Sequence, residues 1–312
     1  MKNIVFLTYI LFIFLYSCSF SANDKEIDYY AFGKKNMKKE NYKKAKRYFL
    51  NVNPEHKNYA DALNEIGYCY SELGNLDSAL FYFHKTIELR PDYYIAYSNI
   101  AWAYEYRIKN NDSALFYYNK AVITLEESNY SDHITYFNRG VFYIEQKRHN
   151  LALADLNKSL EINPEYALSL NRRSLCYTEF GEYDLALSDL HKAIEINPFN
   201  SVFYYNQGKN YFLKQEFNRA LRAYNKSLSI NAINSDCYSN RGLVYTKLGK
   251  IDSAFLDFDQ AIVINVNNAT AYWNRADLNY FLGNYDSSCP DWKKAAQLGD
   301  KDSDYAYKEY CD

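Results

Sequence analysis

The sequence contains no Gly-rich phosphate loop, no Gly-x-Ser-x-Gly and no His-Glu-x-x-His. Without them the usual marks of nucleotide, acyl-transfer and zinc-hydrolase chemistry are missing. An excess of one charge is missing too. Lys and Arg number 36 against 38 Asp and Glu, for a net charge of −2, so there is no broad basic field for nucleic acid. The apolar run Ile4–Tyr16 is 13 residues long, short of the ~20 that a bilayer-spanning helix needs. With five prolines in 312 residues, little in the chain would kink a helix.

What the chain has is a period. Ala152, Ala186, Ala220, Ala254 and Ser288 stand 34 residues apart, and Gly140, Ser174, Gly208, Gly242 and Ala276 precede them by 12. A fixed period of small residues means one two-helix unit repeated, with each unit burying its neighbour, in place of a single globular core. In the unit 235–268, Tyr238, Arg241, Gly242 and Tyr245 fall at i, i+3, i+4 and i+7, one stripe of a first helix. Gly249 suits the left-handed residue after that helix. Asp252 is placed as the N-cap of the second, with Asp77, Asn150, Asp184, Asn218 and Asp286 as its equivalents. Ala254, Phe258 and Ala261 form the second packed stripe, and Pro91, Pro164 and Pro198 close the same helix in other units. The small residues let the paired helices approach, and neighbours such as Tyr211 and Tyr224 fill the remaining space.

This order of aromatic, small, aromatic, Ala, aromatic, Ala and Pro resembles the tetratricopeptide repeat. The resemblance implies an all-α, right-handed α-solenoid of helix-turn-helix repeats. Eight units are expected: 26–59, 60–93, 94–132, 133–166, 167–200, 201–234, 235–268 and 269–302, with a short capping helix at 303–312. The first unit departs at Val52 and Pro54, and the last at Asn279 and Ser288. The third carries extra residues near Lys109–Asn111 and Glu127–Asp132, where a local distortion is expected. His84 and His191 occupy one repeat position on separate second helices, which is repeat inheritance and not ligand geometry, and the other three histidines are scattered. Glu105, Glu145 and Glu179 recur on first helices and read as a solvated face. No cofactor and no enzymatic activity are expected.

Residues 1–17 read as a signal peptide: Met1-Lys2-Asn3 supplies the positive start and Ile4–Tyr16 the apolar segment. Leu15-Tyr16-Ser17-Cys18 resembles the bacterial lipobox, which implies lipidation of Cys18 as the mature N-terminus, a linker at 18–25 and a place in the cell envelope, at the outer membrane or in the periplasm. The other reading is ordinary cleavage after Ser21. Eight basic residues, Lys34, Lys35, Lys38, Lys39, Lys43, Lys44, Lys46 and Arg47, crowd the first unit. They suit the polar outer face of an end repeat, or contact with anionic head groups.

Cys69, Cys176 and Cys237 fall at small buried positions and read as inert core residues. Cys289 and Cys311 lie in the last second helix and in the capping helix beside it. A disulfide between them would pin a tail that otherwise frays, and the stretch they enclose resembles the C-terminal ends of exported repeat proteins of Bacteroidota.

In the tetratricopeptide superhelix the first helices line a groove. Asn99, Asn138, Asn206, Asn240 and Asn274 recur there, with Arg172 interrupting. They resemble the asparagine ladder with which some family members hold a peptide backbone, since a carboxamide both donates and accepts. The equal alternative is that they bond adjacent repeats. Trp102, Tyr106, Ile134, Phe137, Val141, Ile144, Leu175, Tyr205, Phe212, Leu213, Trp273, Tyr280 and Phe281 are expected on the same face, with Trp102, Phe137, Tyr205 and Phe212 as peptide contacts. The Lys, Asn and Arg set that grips chaperone carboxylates is missing. The expected function is protein–protein interaction through an extended peptide or partner protein. A glycan-binding module stacking sugars on Trp102 and Trp273, and a self-associating homo-oligomeric rod, are the alternatives.

Overall fold

The computed structural model describes residues 28–311, and all of its regular structure is helical. The signal segment 1–17, Cys18, the linker 18–25, residues 26–27 and Asp312 lie outside the described residues. The chain divides at Asn111/Asp112 into two compact units. The first holds the hairpins α1 (Tyr29–Met37) with α2 (Tyr42–Phe49) and α3 (Tyr59–Glu72) with α4 (Leu76–Leu89), then α5 (Tyr94–Ala103). Its core gathers Ala45, Phe49, Leu63, Ile66 and Cys69.

The second unit begins within α6 (Asn111–Glu126). Five hairpins follow: α7 (His133–Glu145) with α8 (His149–Ile162), α9 (Ala167–Glu179) with α10 (Tyr183–Ile196), α11 (Ser201–Leu213) with α12 (Phe217–Ile230), α13 (Ser235–Lys247) with α14 (Ile251–Ile264), and α15 (Ala269–Phe281) with α16 (Tyr285–Gln297). The last helix, α17 (Lys301–Tyr310), packs on α16 through Ala306 and Trp292. Within this unit each first helix touches the next (α7, α9, α11, α13, α15), and no comparable contact joins successive second helices. The first helices therefore lie on the inner side of the curve.

Each first helix ends on a left-handed residue. Gly74, Gly181, Gly249 and Gly283 take it with φ between 70° and 81°, while Glu40, Lys109, Lys147 and Gln215 take it with φ from 55° to 63°. The turn is set by the repeat, so non-glycine residues hold it at a cost. Gln215→Gly should raise stability by roughly 1 kcal/mol, read as a higher thermal midpoint.

The expected N-caps need correction. The residue flanking α14 is Lys250, with Glu182 before α10, Glu216 before α12, Arg148 before α8 and Asn284 before α16, and none of these supplies a side-chain cap. Asp77, Asp184, Asp252 and Asp286 sit inside the first turn, where a carboxylate favours the positive end of the helix dipole. Among these second helices only α4 has a side-chain cap, with the Ser78 N–H donating to Asn75 Oδ1 at 3.0 Å.

The third expected unit absorbs its extra residues in two places. α5 widens into a π-helical turn, Tyr104–Ile108, that ends on left-handed Lys109, and α6 runs 16 residues where the other second helices of full length have 13 or 14. Glu105, on that turn, is buried and not part of a solvated face.

Cys289 and Cys311 are joined in a disulfide 22 residues apart. Cys289→Ser removes a loop constraint worth about 3 kcal/mol in the chain-entropy account. The expected result is early proteolysis of α17, with the rest of the second unit still resistant. Cys69, Cys176 and Cys237 are free and buried, and burial pushes their thiols to about 12, about 11 and about 11. Thiolate is the reactive form, so at pH 8 the three should resist alkylation until denaturant is added.

Candidate binding face on the first helices

The asparagines do not line up as free carboxamides. Asn99 Nδ2 donates to Asn64 Oδ1 at 2.9 Å and Asn206 Nδ2 to Asn171 Oδ1 at 2.8 Å. Asn240 Nδ2 donates to the Tyr205 hydroxyl at 2.9 Å and Asn274 Nδ2 to Ser239 Oγ at 3.1 Å. In each case the partner is 35 residues earlier, on the preceding first helix. Asn206 and Asn274 are buried, Asn99 and Asn240 half-buried. Four of the five therefore spend a donor on joining adjacent repeats, as burial of an amide requires. Asn138, half-buried, makes no side-chain hydrogen bond among the described residues. Asn206→Ala would leave the Asn171 oxygen without its donor, and a loss of about 1–2 kcal/mol is expected in urea unfolding.

The apolar residues separate into two groups. On α7, Ile134, Phe137, Val141 and Ile144 stand at i, i+3, i+7 and i+10, one stripe with Ile134 exposed and the others half-buried. Leu168 and Leu175 continue it on α9, and Val202, Tyr205, Phe212 and Leu213 on α11. Phe137 also packs edge-on against Tyr166. Tyr205 packs on Tyr224, and burial raises its hydroxyl to about 12. Phe212 turns towards Phe217 at 5.7 Å between ring centroids. Near the C-terminus the rings face inward: Trp273 and Tyr280 both pack on Trp292. Phe281 is exposed at 83%. In the first unit Trp102 is exposed, with Tyr106 at 5.6 Å and the Arg107 guanidinium over its ring at 5.5 Å.

A second recurring device was not read from the sequence. Arg139, Arg173, Arg241 and Arg275 each form a two-pronged ion pair with an aspartate 16 residues on: Asp155, Asp189, Asp257 and Asp291. The remaining Nη1 of each reaches the preceding second helix, at Asn119, Asn157, Asn225 and Asp259. Each arginine thus ties together three helices. The hydrogen bond to Asp189 raises the Arg173 pKa against burial, which lowers it. In the hairpin of α11 and α12 the same positions hold Gln207 and Ala223, so both partners are lost together. An arginine directly before the small residue and an aspartate 16 later, at period 34, was the available signal.

An open cleft of about 540 Å³ beside α8 and α10 is lined by Asn157, Glu161, Arg173, Asp189 and Lys192. Arg173 pairs there with Asp189, and Glu161 with Lys158. Among the described residues no group of three or more His, Cys, Asp or Glu side chains is placed to hold a metal, and no helix is long and apolar enough to cross a membrane.

Stacked hairpins, the close seating of Gly33, Gly67, Gly140, Gly208 and Gly242 against an aromatic ring or leucine of the paired helix, and polar ties between successive first helices define a helical-repeat scaffold. Tetratricopeptide-repeat models match residues 60–93, 133–166, 167–200 and 202–234, and a TPR-repeat model matches 242–283. Together these cover more than half of the chain, which belongs to the tetratricopeptide-repeat family. Proteins of this family mediate protein–protein interaction, and the fold is typically non-catalytic. A tetratricopeptide repeat protein from Parabacteroides merdae is similar over 81% of this chain and 99% of its own, with TM-score 0.65 and 22% identity. The Cut9–Hcn1 hetero-tetramer of APC/C matches 81% of this chain with TM-score 0.64 and 19% identity, and the match spans 46% of that chain. Pseudomonas aeruginosa pilF matches 68% of this chain and 94% of its own, with TM-score 0.59 and 18% identity. At these identities the likeness is one of fold. No curated protein matches the sequence significantly.

Proposed function

We propose that this protein is an exported, lipid-anchored scaffold of the bacterial cell envelope that holds an extended peptide or partner protein on the first-helix face of its second unit. The observation that carries this reading is the apolar stripe of α7, α9 and α11. It lies on the inner side of the curve and leaves Ile134, Leu168, Val202 and Leu213 exposed. An apolar patch kept in solvent by a repeat with ample polar alternatives marks a docking surface. The asparagine ladder has a smaller part than the family resemblance implies. Four of its amides are engaged between repeats, so Asn138 is the one placed to pair with a bound backbone. Selection then rests on side-chain burial along the stripe, and the partner segment is apolar.

The membrane part of the reading rests on the signal segment and Cys18. Affinity capture from membrane fractions tests the whole. Val141→Asp with Leu175→Asp places two carboxylates in the stripe without touching the helix-pair core. The double variant should keep its helical circular dichroism and lose the partners that the unaltered chain enriches. If the folded variant enriches the same partners, binding lies elsewhere.

A further inference from the structure

The first hairpin carries a second surface, of different chemistry. Between residues 28 and 58 there are nine Lys and Arg against three Asp and Glu, in a chain whose net charge is −2. The structure sorts these cations into two groups. Lys34 pairs with Glu65 at 2.6 Å, and the Lys46 ammonium sits 3.9 Å from the Tyr70 ring centroid, so both are used against the neighbouring hairpin. Lys35, Lys38, Lys39, Lys43, Lys44 and Arg47 are exposed, and none makes an ion pair among the described residues. Amid them Phe32, itself exposed, stacks on Tyr48 at 5.5 Å between centroids, joining α1 to α2. Leu50 is exposed at the end of the same hairpin. A polar end cap needs neither six unpaired cations nor an exposed phenylalanine and leucine among them.

We infer that this face docks on an anionic phospholipid surface, with the six cations at the head groups and Phe32, Tyr48 and Leu50 at the interfacial layer. Charge complementarity is the first argument: each Lys or Arg near an anionic bilayer adds attraction that salt screens. The second is where the undescribed chain enters. Helix α1 starts at Tyr29, and the apolar run ends at Tyr16. The eleven residues from Cys18 to Asp28 reach at most about 40 Å when extended. An anchor in that segment would hold this hairpin, before any other, against the membrane. The inference draws on the anchoring reading only for this proximity, and the charge argument stands without it.

The test uses the full chain with unilamellar vesicles of phosphatidylcholine, alone or mixed with phosphatidylglycerol, and reads both flotation and hydrogen exchange. Amides of α1 and α2 should be protected on the mixed vesicles and not on phosphatidylcholine, and 0.5 M salt (on the order of a 5 Å Debye length) should remove most of that protection. Lys35, Lys39, Lys43 and Lys44 all changed to Glu should weaken binding to the mixed vesicles by about tenfold or more. The same four changed to Gln give a milder second variant that keeps the surface soluble. Binding to mixed vesicles without binding to phosphatidylcholine would support the docking face and remove the anchor. Equal exchange of α1 and α2 on both vesicles, or no loss in either variant, would overturn the docking face even if the chain floats. A vesicle-free oligomer that dissociates in the Gln variant would overturn it in favour of a second copy of this chain.

Discussion

Gly208→Ala should destabilise the protein by about 2 kcal/mol, although alanine is the better helix former by about 1 kcal/mol. A Cβ at Gly208 would lie 2.7 Å from two atoms of the Tyr224 ring and 2.9 Å from a third. Tyr224 is fully buried, so the ring has nowhere to retreat without opening the hairpin. Gly67 meets Phe83 and Gly242 meets Phe258 in the same way. Where the second helix offers leucine, the space is larger. At Gly140 a Cβ would first meet Leu156 at 3.1 Å, and one period later Ser174 and Leu190 hold the equivalent positions. The pair is therefore the unit of design. Tyr224→Leu introduced with Gly208→Ser should recover most of the stability that Gly208→Ser alone removes, in urea unfolding followed by circular dichroism. Equal losses for the single and double variants would mean that the glycine answers to backbone conformation and not to the ring.

Asp257→Ala should cost roughly 3 kcal/mol, the low end for breaking a buried pair, because Arg241 keeps some contact with solvent. Removing the carboxylate leaves a guanidinium held among three helices with only Asn225 to accept from it. The chain itself indicates the remedy, since the neighbouring hairpin carries Gln207 and Ala223 at these positions. Arg241→Gln combined with Asp257→Ala should return to within about 1 kcal/mol of the starting stability, as apolar or neutral replacement of a whole ion pair is often nearly neutral. A double variant as unstable as the single would show that the arginine's third contact, between repeats, matters more than the pair.

These two results bear on what the sequence disclosed. The 34-residue period, the small residues that seat the helix pairs and the glycines closing the first helices were legible, because each is a local steric requirement. So was the class of fold. The N-caps were misplaced by two residues, since an aspartate serves a helix start equally well inside the first turn, and spacing alone does not separate the two. The asparagines were legible as a column, with bonding between adjacent repeats one of two open readings, and their partners lie at a spacing of 35, one residue off the repeat. Columns aligned at 34 hide that diagonal contact. The arginine–aspartate clamps were present in the same columns and passed unread, because a charged residue on an amphipathic helix is ordinarily solvated, and only the packing shows these carboxylates buried. Glu105 was misjudged for the same reason. The apolar stripe was legible on α7, α9 and α11, where spacing sets the exposed face. It failed at Trp273 and Tyr280, because α17 and Trp292 bring a packing surface that no internal repeat has.

Site-specific photo-cross-linking in living cells tests the central claim most directly. A benzoyl-phenylalanine replacing Leu175, on the first-helix face of α9, is compared with one replacing Leu256, exposed at 70% on the second helix α14. The account predicts a discrete adduct from position 175, absent from position 256 and lost when Val141 is also changed to Asp. An adduct from position 256 with none from 175 would contradict it and place the partner on the second helices.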